Sequence, residues 1–390
     1  MNAAVGRALP LLIHAFLLQG AAYVVRPTSA YRAMELGLSP GLVGLIAASF
    51  ALVPLIVAVP VGRWTDRGRE FATLMIGGVA MVLGGVGLLV FSGSLWALLI
   101  WNAVIGFGHL LCVIGQQSVV ARAGRRGLDT AFGTYTFVGS LGQAAAPLLL
   151  AGVGGQAIIP DTFALLAVYT SLCVALVAVT VWMRPLASRT PSAAAASGAS
   201  GSLHLEPGKG RTMLGAILLS TLVLAAIDLI QVYMPALGVE RGIESWVIGL
   251  LLTMRAGATM VSRIGLATLT GLFGRRRLVV VSSVIAGVAV GVLAMPVHPG
   301  VLGGAMVVAG FCLGVGQPLS MTLVTLAAPK GATSTWLAVR LVGNRFGQSV
   351  VPGVLTLVTT ATGTAGIFVV TGIGLLGTAA FAQFMIRDDL

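Results

Sequence analysis

Charge is what this sequence has least of. Only 9% of its 390 residues are Asp, Glu, Lys or Arg, where a soluble domain carries about 25%. An ordinary water-soluble globule is therefore excluded. Acids are scarcer than bases, 11 against 23, and a single acid, Asp228, falls inside an apolar run. Intramembrane proteolysis or lipid chemistry needs paired aspartates, a His-Glu-x-x-His, or a serine with a basic partner at depth. None of these patterns is present, so an intramembrane enzyme is the weakest of the alternatives. Cysteine is nearly absent too. Cys112, Cys173 and Cys312 all lie in apolar runs and are odd in number, which gives neither a disulfide framework nor zinc-ligand spacing. No metal and no cofactor are expected.

What is abundant is apolar surface: 57% of residues are hydrophobic and the mean hydropathy is +1.02. The net charge of +12 suggests nucleic acid only if a basic face meets water, and here the cations sit in short clusters that separate apolar runs. The solvent is lipid and no nucleic-acid partner is expected. Each spanning helix needs about 20 apolar residues. Runs bounded by charge, Pro or Gly predict twelve spans: 9–31, 41–61, 71–91, 96–120, 130–153, 163–183, 213–236, 246–270, 278–296, 301–326, 335–358 and 364–386. The first, behind the lone cation Arg7, imitates a signal peptide but reads as an uncleaved span, because it reaches about twenty residues and eleven more follow. An N-terminus inside places 16 of the 23 cations on the cytoplasmic side and only Arg32 and Arg241 in outer loops. This positive-inside bias predicts cytoplasmic termini.

Residues 185–212 differ from every other connection. Their Pro, Ala, Ser and Gly tract lacks an apolar period and reads as a flexible cytoplasmic linker. It separates a six-helix bundle over 1–184 from another over 213–390. Adding 205 carries Glu35 onto Glu240, Gly37 onto Gly242, Gly142-Gln143 onto Gly347-Gln348 and Pro147 onto Pro352, and Gly106 meets Gly310 at 204. The chain therefore reads as a duplicated all-α bundle. Such bundles carry a substrate site near the bilayer midplane between the repeats and work by alternating access. A channel would need pore loops or rings of like residues, which a two-fold repeat does not supply.

The loop after the second span reads Gly62-Arg63-Trp64-Thr65-Asp66-Arg67-Gly68-Arg69. It resembles the G-x-x-x-D-R-x-G-R signature of the major facilitator superfamily, as does the twelve-span plan, although Gly68-Arg69 comes one residue early. The resemblance implies that Gly62, Asp66 and Arg67 form a gate in which Asp66 caps the cytoplasmic start of the eleventh span. Independently, a carboxylate at a helix N-terminus is worth about 0.3–1 kcal/mol, and Thr333-Ser334-Thr335 are capping types. Anchoring of the loop to anionic lipid by its arginines is the alternative. The matching turn of the second repeat, Gly274-Arg275-Arg276-Arg277, has no Asp, so the latch reads as single-sided. A fifth-span antiporter pattern survives in reduced form at Gly142–Pro147, with Pro147 and Pro352 read as paired helix bends or as packing kinks. The fourth-span pattern has Asn102 where proton antiporters of the family have arginine.

Ionisable side chains inside spans mark function, since each is expensive unless paired or water-facing. They are Arg26, Arg255, Arg263, Arg340 and Arg345, with Asp228. Asp228 and Arg255 are level on neighbouring spans and read either as a fixed ion pair or as a protonation switch. Arg345 lies near the midplane as the candidate contact for an anionic solute. Arg263 and Arg340 read as snorkelling to the cytoplasmic surface, and Arg26 does likewise at the outer mouth. The resemblance implies that spans 1, 4, 7 and 10 line the cavity, which brings in Tyr23, Arg26, His109, Gln116, Asp228, Gln231, Gln317 and Met321, flanked by Tyr135, Gln143, Asn344 and Gln348. His109 reads as a proton carrier or a packing residue. The expected whole is a monomeric carrier in the cell membrane. It exports a small organic solute against protons, with proton-symport uptake of an organic anion as the alternative.

Overall fold

The computed structural model describes residues 2–154, 160–187, 201–206 and 208–386. Arg189, Arg387 and most of the expected linker lie outside them. Among the described residues there is no strand. The long helices are α1 (Asn2–Glu35), α2 (Pro40–Thr65), α3 (Glu70–Phe91), α4 (Leu95–Val120), α5 (Leu128–Gly154), α6 (Thr162–Trp182), α7 (Lys209–Glu240), α8 (Ser245–Ile264), α9 (Arg275–Leu293) and α10 (Pro299–Ala327). A last helical run, Thr333–Met385, breaks at Gly363 (φ 66°, ψ −172°), which separates α11 (333–362) from α12 (364–385). Twelve spans were expected and twelve long helices are described.

Ten of them are long and apolar enough to cross a bilayer. The repeat-related pair α5 and α11 carries Gly142-Gln143 and Gly347-Gln348. Several helices outrun their apolar segments: α1 continues to Glu35 and α7 to Glu240. Intrahelical hydrogen bonding does not stop at the hydrocarbon edge; it stops where the backbone is turned. Gly37 (φ 69°) and Gly242 (φ 64°) take the left-handed conformation that ends a helix cheaply only in glycine. Elsewhere side chains set the boundary. Ser94 caps α4 through Ala97 N and Asp161 caps α6 through Ala164 N, satisfying otherwise orphaned donors.

The chain forms two compact units. The first comprises Met1–Arg122, Phe137–Leu203 and Lys330–Ala338; the second comprises Ala123–Thr136, His204–Pro329 and Val339–Leu390. In the first, α4 packs on α2 and α3; in the second, α10 packs on α8 and α9 in the same pattern. The closest approaches repeat as well. A Cβ added at Gly106 would collide with the Phe50 carbonyl, and one at Gly310 would collide with the Arg255 carbonyl. Phe50 and Arg255 are themselves related by the repeat offset. Gly142 packs on Phe16 and Gly347 on Thr221, and these partners are repeat mates too. The two glutamates of the repeat also act alike: Thr162 Oγ1 donates to Glu35 Oε2 (2.8 Å), and Thr364 Oγ1 donates to Glu240 Oε1. Each ties the end of its repeat's first helix to the start of its sixth.

Candidate functional site

In the second unit, the face of α11 formed by Arg340, Asn344 and Gln348, spaced four residues apart, meets polar residues of α7 and α10. Ser220 Oγ donates to Asn344 Oδ1 (2.7 Å). Gln317 Nε2 donates to the Ser220 carbonyl (2.8 Å), and its Oε1 accepts from Arg340 NH2 (2.9 Å). Arg340 Nε donates to Ser320 Oγ (3.1 Å). One helical turn farther along α11 from Asn344, Gln348 Nε2 donates to Asp228 Oδ2 (2.6 Å), and Gln348 Oε1 accepts from Arg345 NH1 (3.3 Å). Arg255, 6% exposed, donates from NH2 to Gln231 Oε1 (3.1 Å). Glutamine amides thus stand against each of these charges: Gln348 touches both Asp228 and Arg345, and Gln231 touches Arg255.

Arg340 corrects one expectation. It does not snorkel: it is 0% exposed, because Gln317 and Ser320 of α10 hold its guanidinium inward. Arg263 is half-buried and donates to the Thr136 carbonyl (3.0 Å). Met321 is buried on α10.

The first unit answers mostly with neutral groups. Gln143 Nε2 donates to Gln19 Oε1 (3.0 Å), the α5–α1 counterpart of Gln348 and Asp228. Gln116 Nε2 donates to His14 Nδ1 (2.5 Å), and His14 Nε2 meets Thr180 Oγ1 (2.9 Å). Since Thr180 donates its own proton to the Leu176 carbonyl, its oxygen accepts from His14. Both ring nitrogens are then satisfied in the neutral form, which makes His14 a structural histidine. Sequence reasoning passed over it, and its lone position in an apolar run gave no signal. His109 packs its ring 5.5 Å from that of Phe50, and Arg26 lies 4.5 Å over the same ring, a cation–π arrangement. Tyr23 is exposed and Tyr135 buried. Pro147 lies within α5; Pro352 belongs to a stretch of α11 whose side chains are outside those described.

A second polar cluster sits where α2 ends. Asp66 Oδ1 accepts from Ser334 N (2.8 Å), while Oδ2 accepts from Thr335 N (2.9 Å) and Thr335 Oγ1 (2.6 Å). The backbone groups are orphan donors of the first turn of α11. Burial raises the Asp66 carboxyl above the usual range, opposed by the hydrogen bonds from Thr335 and Ser334. Gly62 permits the approach, since a Cβ there would lie 2.8 Å from Ser334 O and Thr335 Cα. Ser118 Oγ meets Ser334 Oγ (2.8 Å) and Glu70 Oε1 (3.5 Å), and Glu70 pairs with Arg122. Glu70, buried at the start of α3, was not singled out by the motif. Arg67 is exposed.

The matching turn of the second repeat also engages an acid, supplied by another helix. Arg275 donates to Asp129, with NH2 to Oδ2 at 2.9 Å and Nε to Oδ2 at 3.2 Å. Asp129 lies in the first turn of α5 and Ser334 in that of α11, and the repeat offset carries one onto the other. The turn that lacks an Asp of its own thus still engages an acid: both loops reach the first turn of a repeat-related helix, with the polarity reversed. Spacing within the loop could not show this, because the acid lies four long helices upstream, at the start of α5.

Among the described residues there is no cluster of His, Cys, Asp and Glu suited to a metal ion. A family model described as Major Facilitator Superfamily matches residues 11–245 and 216–389. Similar solved structures include the human organic anion transporter MFSD10 (TETRAN), with TM-score 0.79 and 14% identity over 97% of this chain and 99% of that one. A transporter named FucP in the outward conformation gives TM-score 0.76 and 16% identity over 97% and 98%. A bacterial homologue of the iron transporter ferroportin, in an outward-facing state, gives 0.75 and 14% over 96% and 98%. At these identities the likeness is one of fold. No curated protein matches by sequence. Two copies of one helical plan, the polar faces they carry and the match of the family model over both repeats lead to one conclusion: the chain is a multi-pass membrane protein that belongs to the Major Facilitator Superfamily of secondary transporters.

Proposed function

We propose that this transporter moves a small organic solute bearing an acidic group, coupled to protons at Asp228, by alternating access. The observation that carries this reading is the chain of contacts from Asp228 through Gln348 to Arg345. An ionised Asp228 accepts the Gln348 amide, which leaves the Gln348 carbonyl oriented toward Arg345. Protonation adds a donor to Asp228 and removes the charge that orients Gln348. Protonation therefore changes the hold of Gln348 on Arg345, the contact proposed for a solute carboxylate. The excess of arginine over acid in the second repeat supports an anionic solute. His109 is a second candidate for the proton.

The direction we propose is export, which rests on the reduced antiporter pattern from Gly142 to Pro147. The second reading, uptake of an organic anion with protons, draws on the arginine excess and on the absence of the fourth-span arginine, whose place Asn102 takes; one similar structure is a fucose:proton symporter. The cation distribution supports a cell-membrane location with both termini cytoplasmic, and the carrier is proposed to act as a monomer of two bundles joined by the 185–212 linker. Gly62, Asp66 and Arg67 are proposed as the cytoplasmic gate. Counterflow in proteoliposomes under an imposed pH gradient tests the scheme. Export by antiport predicts opposite movement of solute and proton, and movement in the same direction selects symport.

A further inference from the structure

Arg340 is the most completely buried cation among the described residues, and proton coupling at Asp228 does not use it. Its guanidinium carries five N–H groups. One goes to Ser320 and one to Gln317, and NH1 has no acceptor among the described residues. No carboxylate of the described residues forms an ion pair with it. A buried charge left in this state is costly, so a membrane protein that keeps one has a use for it.

The surroundings fix the group in place. Gln317 cannot turn away, because its Nε2 is committed to the Ser220 carbonyl, so its Oε1 stays on the arginine. Ser320 Oγ donates to the Gln317 carbonyl (2.7 Å), which presents its oxygen lone pair to Arg340 Nε. With Nε and one hydrogen of NH2 occupied, the remaining fork is NH1 with the second hydrogen of NH2. That is the geometry for two parallel bonds to one carboxylate, and it is preorganised before any ligand arrives. Tyr135, an electrostatic neighbour of Arg340, is its mate in the first repeat by the same offset.

Resting on the reading that the solute is acidic, we propose that Arg340 is the terminal anchor for its carboxylate, with Arg345 an outer contact. Charge balance selects a carboxylate. One negative charge neutralises one guanidinium, whereas a phosphomonoester brings about −1.5 to −2 into a place with a single cation.

The test is a thermal-shift titration of the purified full chain with matched pairs, benzoate against benzamide and phenylacetate against phenylacetamide, with phenylphosphonate as the phosphoryl arm. The expected result is acid-selective stabilisation of the wild type that weakens at least tenfold in Arg340→Gln, while the unliganded melting temperature of that variant equals or exceeds the wild-type value. Arg340→Lys keeps the charge and loses the fork. It is expected to melt like the wild type and still bind at least tenfold more weakly. Full binding by Arg340→Lys overturns the proposal, and so does an acid response that survives Arg340→Gln but disappears in Arg345→Gln. This last outcome leaves the anionic reading intact. Stronger stabilisation by phenylphosphonate than by either carboxylate overturns the carboxylate assignment, and a wild type that answers acids and amides alike contradicts the anionic reading itself.

Discussion

Gln348 donates its amide to Asp228 at 2.6 Å from the position that Gln143 holds in the first repeat, where the partner is a neutral glutamine, Gln19. The tie between the fifth helix and the first helix is common to both repeats, and most of the intramembrane charge lies in the second. Asp228, Arg255, Arg340 and Arg345 all lie in that copy, and the first unit answers with His14, Gln116, Gln143 and Asn102. Ser29 Oγ donates to Asn102 Oδ1 (3.0 Å), so Asn102 serves here to tie α4 to α1. Identical packing at Gly106 and Gly310 supports two different chemistries.

The Asp66 cap makes three hydrogen bonds, and bonds to a charged acceptor contribute about 1.5–3 kcal/mol each when buried. Asp66 is only partly buried, so its removal is expected to cost the capped first turn of α11 toward the lower end of that range. Hydrogen exchange in the peptide covering 331–338 should quicken about tenfold in Asp66→Ala. Asp66→Asn, which keeps one acceptor, should fall between. Unchanged exchange would show that the turn holds without Asp66.

The same cap has a predicted pH response. Its carboxyl titrates higher in the capped conformation than an exposed aspartate does, so the capped conformation binds the proton more tightly. Acidification through that range therefore favours the cap over the open form, and the advantage disappears as pH rises past the raised value. Exchange in 331–338, corrected for its intrinsic pH dependence, should slow on acidification in the wild type and lose this response in Asp66→Asn. Faster exchange on acidification would reverse the sign of the argument.

Gly62→Leu is expected to force α2 away from the first turn of α11, because even a Cβ would lie 2.8 Å from backbone atoms of Ser334 and Thr335. In that background Ser118→Cys, at a site buried against Ser334, should become reactive to a membrane-impermeant maleimide. Retained protection would mean that the contact tolerates the side chain.

Arg275 and Asp129 are expected to be coupled. Arg275 is about one quarter exposed and Asp129 nearly buried, so the pair should contribute on the order of 1 kcal/mol, above most exposed pairs. A double-mutant cycle with Arg275→Ala and Asp129→Ala should be non-additive in melting temperature. Strict additivity would make the pair incidental.

Twelve helices, their repeat and the membrane setting were legible because lipid imposes length and apolarity on every span, and the constant offset survives in residues such as Glu35 and Glu240. The contact of Asp66 with α11 was legible as a motif. Partners far apart in sequence were not. Nothing local indicates that Arg340 meets Gln317 and Ser320, so its nearness to the cytoplasmic end suggested snorkelling. The Arg275–Asp129 pair was hidden for the same reason, and His14 because a satisfied buried histidine leaves no pattern. Apolar periodicity reports which face meets lipid; it does not report which polar side chain completes another.

The measurement that bears most directly on proton coupling at Asp228 is accumulation in proteoliposomes of whichever matched acid stabilises the protein, under an imposed pH gradient, with wild type beside Asp228→Asn. The wild type should concentrate the acid with a proton flux that follows the gradient. The variant should retain counterflow exchange and lose accumulation. Accumulation by Asp228→Asn equal to the wild type, with the same dependence on the pH gradient, would contradict coupling at Asp228.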